Sequence, residues 1–116
     1  MRRIRMVKAL DPEIAGQLAE DLPPAVFRRI IATFELDLGR LTAELEACAA
    51  AANSDGYHRA AHSLAGAAAA VGARRLEFEA RIAMDPRQPE AADTLLPRLT
   101  AESRLALAEL HSLAQA

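Results

Sequence analysis

The sequence is poor in the residues that strands, base-stacking surfaces and metal clusters require. Aromatic residues make up only 3% of the 116 residues, and tryptophan is absent. Proteins that bind nucleic acids stack bases on aromatic side chains and attract phosphates with basic surfaces, whereas this chain has a formal net charge of -2. β-Branched residues, glycine and proline are scarce, and the helix-forming residues alanine, leucine, arginine and glutamate dominate. The composition therefore predicts an all-α protein with no nucleic-acid partner.

A single cysteine and the lack of a long apolar segment exclude further classes of protein. Cys48 alone can form neither an internal disulfide bond nor a cysteine metal cluster. A membrane-spanning helix needs about 20 apolar residues, and no uncharged stretch of that length is present. The basic residues 1–8 are not followed by the apolar core of a secretory signal. We expect a cytoplasmic protein without a membrane partner, with a loosely ordered arm over residues 1–10 and one domain over residues 11–116.

Apolar periodicity predicts a short first helix followed by a long one. Asp11 is suited to cap a helix that begins at Pro12 and ends near Asp21. The long helix extends from Pro24 to about Ala51, because apolar residues recur there at alternating steps of four and three. This stripe consists of Phe27, Ile31, Phe34, Leu38, Leu41, Leu45 and Cys48.

Turn residues divide the remaining chain into three further helices. The turn 53–56 precedes the third helix, and Gly72 lies where a left-handed glycine is expected to end it. The fourth helix ends at the proline-containing segment 85–89. The last helix runs from about Glu90 or Thr94 to Leu113, and an early start would place a kink at Pro97. We favour Thr94 as the start of the regular part, because Pro97 then falls in the first turn, where amides lack helical partners.

The helix count and the short connections predict the architecture. We expect an all-α protein, an antiparallel up-down four-helix bundle with a short additional N-terminal helix. A single hydrophobic core within one such bundle predicts a monomer.

The third predicted helix holds a histidine on a surface of small side chains. Its core-facing stripe consists of Tyr57, Ala61, Leu64, Ala68 and Val71. His62 projects away from this stripe and is flanked by His58, Ala65, Gly66 and Ala69. Glycine within a helix costs about 1 kcal/mol relative to alanine. Gly66, one turn after His62, therefore indicates that another molecule approaches this surface closely.

The segment 61–67, AHSLAGA, followed by Val71, Gly72 and Leu76, resembles the signature of histidine-phosphotransfer (HPt) domains of bacterial two-component phosphorelays. The family pattern is A-H-x-L-K-G-S/A, then an apolar-glycine pair and a helix with leucine four residues after that glycine. The resemblance also covers the order of the helices along nearly the whole chain. It implies that His62 is the phospho-acceptor of a phosphoryl carrier protein without autonomous catalytic activity.

The resemblance also implies the partners of His62. A response-regulator receiver domain would supply both the Mg²⁺ and the phospho-aspartate, a hybrid histidine kinase is a further partner, and the carrier itself needs no cofactor. Imidazole supports this role, because an exposed histidine is substantially neutral near pH 7 and is nucleophilic in that form. Phosphoryl transfer mainly requires in-line positioning and charge stabilisation.

One position departs from the family pattern. The lysine that usually follows the histidine by three residues is replaced here by Ala65. Arg59, three residues before His62, is our candidate for the missing cation, and Arg74 and Arg75 of the next helix are further candidates. We expect His58, Ala65, Gly66 and Ala69 to support the phosphate or form the docking surface.

Three other interpretations of the chain remain open. A degenerate, non-phosphorylated HPt-like bundle would bind and modulate a receiver domain or histidine kinase, which the absent lysine favours. A plain structural or dimerising bundle would use the apolar stripes only for packing. A metal site at His58 and His62 lacks a third ligand in the sequence pattern, so we expect no metal.

Overall fold

The computed structural model describes residues 9–87 and 90–115, and within these ranges the protein consists of helices without strands. The predicted all-α class is confirmed. The five helices are α1 (Pro12–Asp21), α2 (Pro24–Ala50), α3 (Ser54–Ala70), α4 (Arg74–Met84) and α5 (Ala92–Ala114).

Side-chain caps and prolines place the first helix boundaries where the sequence predicts them. Asp11 accepts a hydrogen bond from the amide of Glu13 and so caps α1, and Pro24 opens α2. The third helix begins earlier than the predicted turn allows. The side chain of Asn53 accepts a hydrogen bond from the amide of Gly56 at 3.0 Å, so Asn53 is the cap and the first turn follows at once.

The last helix begins at Ala92, between the two predicted starts, so the favoured start at Thr94 is wrong. The amides of Thr94 and Leu95 both donate to the carbonyl of Ala91 at 3.0 Å, which makes Ala91 the cap. Pro97 consequently lies inside α5, where it has no amide to donate to the preceding turn. The burial of Leu95 and Leu99 offsets this lost hydrogen bond, because both side chains are at most 1% exposed.

Four helices surround a continuous core. Contacts join α2 to α3, α3 to α4, α4 to α5 and α5 to α2, while α1 contacts α2 and α5. Among the described residues, the backbones of α3 and α5 do not approach each other closely, although side chains of both helices belong to the same core. The largest fully buried side chains are Ile31, Leu45, Leu64, Leu76, Leu95, Leu99 and Leu110. No helix within the described ranges is long and apolar enough to cross a membrane.

Ala9 and Leu10 fall within the arm predicted from the sequence, but they are packed into the domain. Both are nearly inaccessible, at 2% and 5% exposed. Their amides donate to the carboxylate of Glu109 in α5 at 2.9 Å and 3.1 Å. The packed domain therefore includes these two residues, and the rest of the predicted arm lies outside the described residues.

Gly72 ends α3 in the left-handed conformation that the sequence predicts, with φ of +74°. A Cβ atom there would lie 2.9 Å from Cβ of Ile14, so α1 closes directly over this turn. We expect Gly72→Ala to lower the free energy of unfolding by about 2 kcal/mol or more, through left-handed strain and the clash with α1.

Urea denaturation measures this loss, and Gly16→Ala provides the control. A Cβ atom at Gly16 would meet nothing within 4 Å, so this helical substitution should raise stability by about 0.5–1 kcal/mol. Equal effects of the two substitutions would contradict the close packing of α1 on the turn.

Candidate functional site

His62 lies near the middle of α3 and is exposed. Its orientation follows from its neighbours, because Ala61 is 0% and Leu64 is 1% exposed in the core. Since residues one and two positions away along a helix face different directions, burial of this pair turns the imidazole outward. A rigid helix therefore presents the ring to the surroundings.

Most of the predicted site residues share the exposed side of α3 with His62. His58, Arg59, Gly66 and Ala69 are all exposed, and they lie three, four or seven residues from the histidine. At 3.6 residues per turn, such spacings bring positions onto one face of a helix. On this surface His62 lies between the small residues Gly66 and Ala69 on one side and the larger polar residues His58 and Arg59 on the other.

Ala65 does not belong to this exposed surface, which corrects its predicted role. It is 3% exposed and lies seven residues after His58, on the same line along α3. This line faces α4, because His58 lines a groove together with Met84 and Asp85 at the end of α4. Position 65 is therefore a packing position between two helices.

Gly66 has open space above it. A Cβ atom built on this residue would meet nothing within 4 Å, so no contact within the described residues requires glycine there. Glycine at this position therefore lowers the stability of the helix without relieving any contact among the described residues.

The three arginines predicted as phosphate partners have different surroundings. Arg59 is exposed and makes no ion pair with any described residue. Arg74 pairs with Asp11 at 3.0 Å, and Arg75 pairs with Glu102 of α5 at 2.8 Å. The two arginines of α4 are thus engaged with α1 and α5, and only Arg59 remains beside His62.

A groove of about 470 Å³ lies at the start of α3, where its walls include Cys48, Tyr57 and His58. The hydroxyl group of Tyr57 is buried without a hydrogen-bond partner among the described residues. Burial also raises the pKa of this phenol. His62 does not line the groove, and no set of three or more metal-ligating side chains is assembled in the described parts of the chain.

An ion pair on α4 was not anticipated from the sequence. Glu77 accepts hydrogen bonds from Nη2 and Nε of Arg81 at 2.6 Å and 3.0 Å. The spacing of four residues between opposite charges predicts such a pair on any exposed helix. Because α4 packs against α3, the pair belongs to a helix adjacent to the histidine helix.

Comparison of this chain with protein-family models, curated proteins and solved structures found no match.

Proposed function

We propose that the protein is a phosphorelay intermediate that carries a phosphoryl group on His62 between aspartates of receiver domains. The observation that carries the proposal is an exposed imidazole held by a buried stripe on α3, with open space over Gly66 one turn away. This arrangement leaves room for a partner to close over the ring. We also propose that the helices form an antiparallel up-down bundle, which would hold His62 rigidly while the partner docks.

The transfer step needs only one nucleophile from this chain. A nitrogen of the neutral imidazole of His62 attacks the phosphorus of an aspartyl phosphate, and a nitrogen–phosphorus bond forms. The phosphorus–oxygen bond to the aspartate breaks, and the electron pair leaves with the aspartate carboxylate. The proton on the other ring nitrogen stays in place during attack. Onward transfer to a second receiver reverses these events.

Phosphoryl transfer requires different contributions from this chain and from its receiver partner. In-line positioning and neutralisation of the equatorial oxygens provide most of the rate acceleration, and a receiver domain would bring the acidic pocket and Mg²⁺. The chain would contribute a fixed ring and clearance around it. No nucleotide or resident cofactor is required for this role.

The degenerate binding module is the second candidate, and one observation favours it. Position 65 holds an uncharged alanine that is 3% exposed, so the turn after His62 offers no cation from α3. A module of this kind would bind the same receiver surface without accepting a phosphoryl group.

Label transfer from charged receivers separates the two candidates. Purified receiver domains are charged with radiolabelled acetyl phosphate and Mg²⁺, freed of excess donor, and mixed with the intact chain. The proposal expects label on the chain that is stable in alkali and lost in acid, as for phosphohistidine. Receivers that bind the chain but never transfer label would support the degenerate module and overturn the carrier.

A further inference from the structure

The groove at the start of α3 fixes how α3 and α4 lie beside each other. His58 near the start of α3 and Asp85 just past the end of α4 line the same groove, so the two helices run in opposite directions. One turn further along α3 from His58 is His62. One turn back along α4 from Asp85 is Arg81. Antiparallel neighbours bring these two positions to the same level, with Glu77 one more turn along.

Arg81 is available at this level because its side chain remains on the surface. It is 61% exposed, and its described partner is Glu77, whose side chain is 26% exposed. An exposed ion pair within one helix contributes little to stability, so the guanidinium can leave it for a more highly charged group. A phosphoryl group on His62 carries almost two negative charges, against one on Glu77.

The buried Ala65 explains why a cation would come from α4. This residue lies one turn after His62 and is covered at the α3–α4 contact, so a long charged side chain at that position would have to displace α4. Arg74 and Arg75 are bound to acids of other elements. Among the described arginines of α4, this leaves Arg81 at the level of the ring.

We propose that Arg81 binds the phosphoryl group of phosphorylated His62, and that Glu77 holds its guanidinium in place while the histidine is unmodified. The inference rests on the proposed phosphorylation of His62. Arg81 supplies a guanidinium fork, which suits phosphate oxygens. The exchange of partners makes no covalent change in Arg81 or Glu77.

Chemical phosphorylation tests Arg81 without any receiver. Potassium phosphoramidate transfers a phosphoryl group to exposed histidines, and all three histidines of the chain are exposed, so the titration is run with His58→Gln and His111→Gln in place. The phosphorus NMR signal of the product then comes from His62 and shifts as the phosphoryl group is protonated. We expect Arg81→Gln to raise the pH midpoint of that shift by about half a unit, the size of one charge at about 5 Å in water. Arg81→Lys keeps the charge and should leave the midpoint near that of the unmodified sequence.

Two arginine variants serve as controls in the same titration. Arg104 is exposed on α5, whose backbone does not approach α3 closely, so Arg104→Gln should not move the midpoint. Arg59→Gln tests the cation predicted from the sequence. An unchanged midpoint in Arg81→Gln, an equal change in Arg104→Gln, or a change in Arg59→Gln alone would each overturn the assignment to Arg81.

The outcome for Arg81 is separable from the outcome for the proposed function. If Arg81→Gln raises the midpoint after chemical phosphorylation but the chain takes no label from receivers, the role of Arg81 stands and the carrier function is excluded. If the chain takes label from receivers but Arg81→Gln leaves the midpoint unchanged, the carrier function stands and the role of Arg81 is excluded. Failure of phosphoramidate to modify His62 would contradict the accessible ring on which both depend.

Discussion

Replacing His62 with glutamine should reduce label transfer from a charged receiver to background. The substitution removes the nitrogen that attacks phosphorus and leaves an amide, which cannot hold a phosphoryl group under these conditions. Because the side chain is exposed and glutamine is a good helix former, the free energy of unfolding should change by less than about 0.5 kcal/mol. Filter-bound radioactivity and urea denaturation measure the two quantities on the same preparations.

The other two histidines provide matched controls for this substitution. His58 is exposed one turn before His62 on α3, and His111 is exposed near the end of α5, with Nε2 3.8 Å from a carboxylate oxygen of Glu35. We expect His58→Gln to keep more than about a third of the label, since it borders the docking surface without receiving the group, and His111→Gln to keep all of it. Label that persists in His62→Gln and disappears in His58→Gln would move the acceptor to His58.

Substituting leucine for Gly66 should slow label transfer without lowering the free energy of unfolding. Gly66→Leu gains about 0.8 kcal/mol of helix propensity, and no described side chain obstructs the new Cβ atom. The added bulk stands one turn from His62, where the proposed partner must approach, and misplacement of reacting groups by about 1 Å can slow a reaction about a hundredfold. We therefore expect transfer at least about tenfold slower in a protein that is equally or more resistant to urea.

Gly39 supplies the control for Gly66. It lies in the interior of α2, it is exposed, and a Cβ atom there also meets nothing within 4 Å. It follows Glu35 by one turn, on the side of α2 that faces α5 rather than α3. Gly39→Leu should gain the same stability and leave transfer unchanged. Equal rates for the two leucine variants would show that no partner approaches Gly66.

Several helix boundaries could be predicted from the residues next to them. The cap at Asp11, the proline at position 24 and the left-handed Gly72 each act on the backbone within a few residues of their own position, so the sequence alone predicts them. The start of α5 was predicted too late because Pro97 was expected to lie in the first turn. The burial of Leu95 and Leu99 instead outweighs the hydrogen bond that Pro97 cannot donate. That balance depends on the core, which a local pattern does not contain.

The features that the sequence did not predict depend on contacts between distant segments. Glu109 accepts hydrogen bonds from the amides of Ala9 and Leu10 across 100 and 99 positions, so no residue nearby in the sequence indicates that these two residues are packed. Ala65 lies about 40° around α3 from the buried Ala61, at the margin of the core-facing stripe. Whether such a marginal position is covered depends on how closely the next helix packs.

The same limit applies to the surroundings of His62. The spacing of His62 and Gly66 was visible in the sequence because both lie on one helix. The level of Arg81 relative to His62 depends on the antiparallel contact of α3 with α4, which the groove between His58 and Asp85 reveals. A motif confined to one helix therefore predicts which residue accepts the phosphoryl group, whereas the charges around that residue can be described only from the assembled protein.

Tandem mass spectrometry at alkaline pH locates the phosphoryl group on the chain. The intact chain is incubated with a charged receiver and Mg²⁺, digested without exposure to acid, and fragmented under conditions that preserve nitrogen–phosphorus bonds. We expect one phosphoryl group, on the peptide that contains His62 and on that ring. A phosphoryl group on any other residue, or an unmodified chain after mixing with receivers that bind it, would show that His62 is not the acceptor.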